Sequence, residues 1–331
     1  MFDPRYEYIL PPDRIAYYPA EKRDESRLML VDCENNLMSD QGKFKDVKRF
    51  FRDGDILVLN NTKVFKARLF GARRSGGKVE ALLLEQNSSR VKALLKPMTR
   101  LKIGEKIKFG EFEAEFIGKT SDGIGILEFG EKSAAEVLKK CGKIPLPPYI
   151  KRPAEKIDEE RYQTVIASEG DSAAAPTAGL HFTENLISEL NRIGVKIVYV
   201  TLDVSYATFA PLREGQTKLH TERYKIPEDT VSALSNLSGE GRIIAVGTTV
   251  VRTLESFAMT GIKEGETDIF IRPGFDFKFV SAMITNFHLP SSSLLMLVHA
   301  FSGDIIFNAY EKALEWNFRF FSYGDCMMIL R

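Results

Sequence analysis

Residues 53–71 read DGDILVLNNTKVFKARLFG, and the change of texture inside this stretch decides the fold. Its first half, ILVL, is a short continuous apolar run bounded by turn formers, the mark of a strand buried on both faces. The polar Asn60-Asn61-Thr62 turn ends that strand. A second strand then begins, and from it to about residue 130 the chain breaks into short alternating runs: KVEALLLEQ, RVKALLK, KIKFGEFEAEFIG and GIGILEF. Turns of the type SGG, NSS, FGE and SDG separate them, which predicts an antiparallel sheet or small barrel. SAAEVLKKCGK closes the series as a helix with Ser133 as its N-cap.

Beyond IPLPPYIKRP, which its prolines force to be extended, helical and strand patterns alternate. TENLISELNRIG reads as a helix; VKIVYVTLDV, RIIAVG and VSAMITNF read as strands; NAYEKALEWNFRFFSYGD begins as a helix. Such alternation predicts an α/β sandwich. The strands before residue 63 belong to it as well, so the β unit is an insertion. The expected division is 1–67 with 141–331 as the α/β domain and 68–140 as the inserted barrel, within the two-domain range that 331 residues allow.

Charge is uneven along the chain. From Lys63 to Lys108 there are 13 Lys and Arg against 3 Asp and Glu, while the remainder holds 33 against 42. A net +1 therefore hides one cationic region suited to a polyphosphate partner. Lys63, Lys66 and Arg68 in NNTKVFKAR, and Lys151 and Arg152 in PPYIKRP, are the candidate phosphate contacts. The opening MFDPRYEYILPP lacks the apolar core of a signal peptide, and no run approaches the ~18 apolar residues of a membrane span, so a cytoplasmic protein is expected. Cys33, Cys141 and Cys326 form no CxxC pair and read as reduced structural thiols.

Three stretches carry candidate chemistry. In GRIIAVGTTVVRTLES a strand ends at Gly247 and Thr248 or Thr249 is the expected cap of the next helix, whose N-terminus can hold a carboxylate or phosphate. Arg252 and Glu255 are spaced for an ion pair on that helix. In MITNFHLPSSSLLMLVHAFSG, Asn286 and His288 follow a strand where α/β sheets bind ligands, and the serines cap an apolar helix that contains His299 as a core residue. In SAAAPTAGLHFT, Thr177 and Gly179 shape a turn that lets a ligand approach, Thr183 caps the next helix, and His181 falls on a Gly-rich rim as a candidate for proton transfer.

Together these stretches, with ILPPDRIAYYPAEKRDESRLMLVD, GGKVEALLL, ERYQTVIA and FRFFSYGDCMMIL, resemble the S-adenosylmethionine:tRNA ribosyltransferase-isomerases of queuosine biosynthesis over nearly the whole chain. The resemblance implies a three-layer α/β sandwich with an inserted small antiparallel β-barrel. It implies transfer and isomerisation of the ribosyl part of S-adenosylmethionine onto 7-aminomethyl-7-deazaguanine in the tRNA anticodon, giving epoxyqueuosine-tRNA, adenine and methionine. Its partners would be tRNA and S-adenosylmethionine, with no metal, no other cofactor and no membrane, the chain acting as a monomer. His181, Asp203 and His220 are the catalytic candidates; Thr177, Gly179, Gly247, Thr248, Thr249, Arg252, Asn286 and His288 are the substrate-binding ones.

One segment departs from the family. TLDVSYATFAPL stands where TLHVGxGTFRPV is expected, so Asp203, Ser205, Ala207 and Ala210 replace His, Gly, Gly and Arg. Downstream, Thr217 and Leu219 replace His and Met, while His220 and Glu222 are kept. Two other readings follow: a tRNA-binding paralogue with altered or lost catalysis, and a metal site built from His181, His220 and His288.

Overall fold

A computed structural model describes residues 4–121, 123–205, 216–237 and 239–331. Ile56–Asn60 is a strand near the centre of a mixed sheet that has nine strands among these residues. Across the sheet they run Glu264–Thr267, Glu222–Lys225, Lys196–Leu202, Ile56–Asn60, Ile243–Val246, Ala282–Asn286, Cys326–Leu330, Arg27–Asp32 and Leu37–Lys43. Lys196–Leu202, Ile56–Asn60, Ile243–Val246 and Ala282–Asn286 are mutually parallel. Cys326–Leu330 opposes them.

The apolar run ILVL is explained by what covers it. Successive strand residues face opposite ways. Ile56 and Val58 join Val198, Ala245 and Met283 under Val250 and Leu254 of the helix Thr248–Thr260. Leu57 and Leu59 join Ile244 and Ile284 on the other face, under Phe44, Phe182, Leu186 and Leu190. Both faces are dry, so no polar alternation is possible. This is the three-layer arrangement expected, and Leu57→Ala would cost about 2–5 kcal/mol, the range for a deleted core leucine.

Local signals set the helices. Thr183 Oγ1 accepts the Leu186 N–H at 3.1 Å and starts Glu184–Arg192. Ser292 Oγ does the same for Leu295 at 3.2 Å and starts Ser293–Ser302. Replacing either cap by Ala would cost about 1 kcal/mol. Among the described residues no single helix is long and apolar enough to cross a membrane.

The antiparallel strands Arg68–Arg73, Lys78–Leu83, Arg90–Lys96, Glu105–Phe109, Phe112–Lys119 and Gly125–Glu128 close into a barrel. Alternate residues such as Leu69, Val79, Ala81, Val91, Ala93, Ile107 and Phe116 fill it, and Val137 and Leu138 of the helix Ala134–Cys141 join that core. A Cβ on Gly71 would lie 2.6 Å from the Phe109 ring and 2.7 Å from the Lys108 carbonyl, so only Gly permits that crossing. Entry and exit are pinned together: Arg68 N–H donates to Lys143 O at 3.1 Å, and Lys143 N–H to Arg68 O at 2.8 Å.

Candidate functional site

The four parallel strands end at one edge, where loops can leave polar groups facing a ligand. Asn60, at the tip of the central strand, is saturated. Its amide donates to Leu202 O at 3.0 Å and Thr249 Oγ1 at 3.4 Å, and its Oδ1 accepts from Thr62 N at 3.0 Å and Leu202 N at 3.1 Å. It staples three segments together. Thr62 then donates to Asp203 Oδ1 at 2.9 Å, and the Asp171 N–H donates to the same oxygen at 2.8 Å. Among the described residues Asp203 Oδ2 has only Arg223, at 3.4 Å. That carboxylate therefore opens into a cleft of about 390 Å³ lined also by Glu169, Thr201 and Glu264.

The next strand ends at Val246 and is followed by Gly247, whose φ of +88° and ψ of 155° suit glycine alone. Contrary to the sequence reading, neither threonine caps the helix: Gly247 is the N-cap, no side chain among the described residues satisfies the first N–H groups, and Thr248 and Thr249 are already helical. Uncapped N–H groups with the helix dipole behind them attract an anion. One turn on, Arg252 is 3% exposed and ion-paired to Glu222, not to Glu255. Glu255 is consumed elsewhere, accepting the backbone N–H groups of Lys278, Phe279 and Val280 at 2.8–3.1 Å. Arg252 Nε donates to Ile269 O at 3.3 Å, while Nη2 has no partner among the described residues. A buried unpaired guanidinium nitrogen is costly unless something supplies an acceptor.

PTAGLH folds as the 3₁₀ turn Thr177–His181. It approaches the Gly247 turn so closely that Ala178 Cβ lies 3.5 Å from where a Gly247 Cβ would be. Gly179 is also tight, because a Cβ there would lie 2.9 Å from Thr164 Cγ2. Thr177 is half-buried at the start of this turn. His181 is not on an exposed rim: it is 4% exposed, with Nδ1 2.6 Å from Ser26 Oγ and Nε2 3.1 Å from the Asn286 amide nitrogen. An amide nitrogen only donates, so Nε2 is the acceptor and the proton resides on Nδ1. Burial, then the nearby Arg319, push its pKa down to about 3, so the ring is neutral. Asn286 Oδ1 is buried with no partner among the described residues.

His288 has other partners. Its Nε2 bonds Thr285 Oγ1 at 2.9 Å, its N–H donates to Tyr310 at 2.8 Å, and burial pushes its pKa down to about 3. His220 is exposed, two residues before Glu222. Among the described residues no group of three His, Cys, Asp or Glu gathers as a metal ion would need. Ser205 donates its N–H to Glu222 at 2.7 Å, and Ala207 and Ala210 lie outside the described residues.

Of the basic candidates, Lys63 and Lys151 are exposed. Lys66 pairs with Glu159 at 2.9 Å, and Arg68 with Glu80 at 2.6 Å and Leu146 O at 2.8 Å. Arg152 grips Asp158 at 2.7 and 2.8 Å and covers the Tyr18 ring at 4.0 Å, which fastens its own Pro-rich connection. Asn60 and Thr62, expected only as a turn, Glu222, expected only as a residue kept beside His220, and Asp171 and Ser26 join the site although none was a candidate. Polar residues directly after an all-buried strand were the available signal for the first two.

A family model described as Queuosine biosynthesis protein matches residues 4–329. A protein of Carboxydothermus hydrogenoformans named S-adenosylmethionine:tRNA ribosyltransferase-isomerase is 46% identical over 338 residues, covering 98% of each chain. One of the same name from Trichlorobacter lovleyi is 43% identical over 337 residues, again covering 98% of each. The crystal structure of S-adenosylmethionine tRNA ribosyltransferase from Thermotoga maritima superposes with a TM-score of 0.57 at 36% identity, covering 98% of this chain and all of that one. With a match spanning almost its full length, the chain belongs to the queuosine biosynthesis protein family.

Proposed function

We propose that this chain is a tRNA ribosyltransferase-isomerase. It moves the ribosyl part of S-adenosylmethionine onto 7-aminomethyl-7-deazaguanine in the anticodon of tRNA and rearranges it to the epoxycyclopentane of epoxyqueuosine, with adenine and methionine released. It acts as a cytoplasmic monomer and needs no further cofactor.

The observation that carries this reading beyond family membership is a pairing of opposite environments along one sheet edge. The N-terminus after Gly247 and the Nη2 of Arg252, both without a side-chain partner among the described residues, suit the methionine carboxylate. The cleft at Asp203 is lined by Glu169, Asp171, Glu264 and Glu266 against Arg223 and Lys225, and this excess of carboxylates suits the sulfonium. A sulfonium acidifies the adjacent 5′ carbon. Asp203 Oδ2, which faces the exposed Arg223 at 3.4 Å, takes that proton, in the place where the resemblance leads one to expect His. His181, a neutral imidazole locked by Ser26 and Asn286, together with Asn286 positions the sugar. The exposed His220 is the group assigned to protonate departing adenine, and the aminomethyl nitrogen attacks in its neutral form.

Incubating the chain with S-adenosylmethionine and an anticodon stem-loop carrying the deazaguanine tests the proposal. Adenine release coupled to a mass gain on the RNA supports it. Stem-loop binding without adenine release would instead identify an RNA-binding relative with lost catalysis.

A further inference from the structure

We infer that the outer face of the barrel is the docking surface for the unpaired loop of the RNA, with Phe70 as a base-stacking platform and Lys78, Lys96 and Lys108 as phosphate contacts. This rests on the reading that the substrate is a tRNA.

Strand register brings these residues together. Phe70 lies opposite Glu80, and Glu80 opposite Lys96; Ala72 lies opposite both Lys78 and Lys108 on its two neighbouring strands. Their interior neighbours Leu69, Val79, Leu95 and Ile107 fill the barrel core, so alternation turns all of these side chains outward. Phe70 is 59% exposed and engages no other ring or cation among the described residues. A phenylalanine on a sheet face amid lysines matches how unpaired RNA bases are held: a ring for the base, cations for its phosphates.

Charge complementarity supports the same occupant. Lys78, Lys96 and Lys108 are exposed and form no salt bridge among the described residues, although Glu113 lies opposite Lys108 on the neighbouring strand. The acids beside them are spoken for: Glu80 by Arg68 at 2.6 Å and Glu113 by Lys106 at 2.9 Å. Next to Glu80 and Lys96 a recess of about 210 Å³, lined by Leu82, Leu94 and Met98, gives the edge of a base an apolar seat. The face is also within reach of the reaction edge. Thr62, which holds Asp203, is eight residues from Phe70, at most about 29 Å of extended chain.

Binding of the anticodon stem-loop, followed by fluorescence anisotropy across a salt series, tests the surface. Phe70→Ala is expected to weaken binding about tenfold, the scale of one lost base stack, and Phe70→Trp to retain it. Replacing Lys78, Lys96 and Lys108 together by Ala is expected to lower the slope of log K against log salt by about 2, near 0.7 for each single-strand phosphate contact. These side chains lie outside the core, so the variants keep the parent's thermal transition. If the parent turns the stem-loop over while both variants bind it with parental affinity and slope, this surface is wrong and the functional reading stands. If the parent does not hold the stem-loop at all, both are wrong.

Discussion

Asn286 donates to His181 across 3.1 Å, and the same amide nitrogen reaches Phe321 O at 3.0 Å, so one side chain ties the end of a central strand to the PTAGLH turn and to the C-terminal segment. Asn286→Ala would strand a buried imidazole nitrogen. The expected cost is about 1–3 kcal/mol in chemical denaturation, the penalty of an unsatisfied buried acceptor. Turnover should fall by more than that loss of folded protein accounts for.

The two buried histidines give the protein an acid-sensitive fold. Burial lowers both His181 and His288 from an ordinary 6.5 to about 3. Between these values the unfolded chain binds protons that the folded chain refuses. Stability is therefore complete above about pH 6.5 and is lost as pH falls toward 3, at about 1.4 kcal/mol per pH unit for each histidine. Thermal melts between pH 7.5 and 5 should show this fall, and His288→Gln should make it shallower.

Arg252 and Glu222, 3% exposed each, are a buried pair in which each neutralises the other. Glu222→Ala is expected to destabilise the protein by about 3–5 kcal/mol, because a guanidinium is left uncompensated. Converting both residues to Met should recover much of that stability. It should not recover S-adenosylmethionine affinity, and calorimetric titration of the double variant checks the separation.

Gly247 occupies a backbone region that costs other residues about 1–3 kcal/mol. There is room for a methyl, since the nearest atom would be Ala178 Cβ at 3.5 Å, so strain acts alone. Gly247→Ala should lower the melting temperature modestly and weaken S-adenosylmethionine binding more than tenfold, because the first helical N–H groups turn from the ligand.

The parts of this fold legible in the sequence are those set by neighbours in the chain. ILVL betrayed its double-sided burial, and Thr183, Ser133 and the serines before Leu295 announced their helices because a cap is a bond over three residues. Distant partnerships were not legible. Arg252 looked paired to Glu255 by helical spacing, yet it reaches Glu222 thirty residues earlier, while Glu255 holds the backbone at Lys278–Val280. His181 looked exposed because Pro and Gly surround it. Ser26, from a segment 155 residues away, and Asn286 enclose it. Thr248 and Thr249 looked like caps, but the positive φ of Gly247 moved the helix start one residue earlier.

Ribosyl transfer itself is tested most directly by following label from S-adenosylmethionine into the anticodon stem-loop. The chain should move label from the ribose carbons onto the RNA, leave label in the methyl group on methionine, and release unmodified adenine in equal amount. Methyl label on the RNA, or adenine release with no ribose label transferred, would contradict the account.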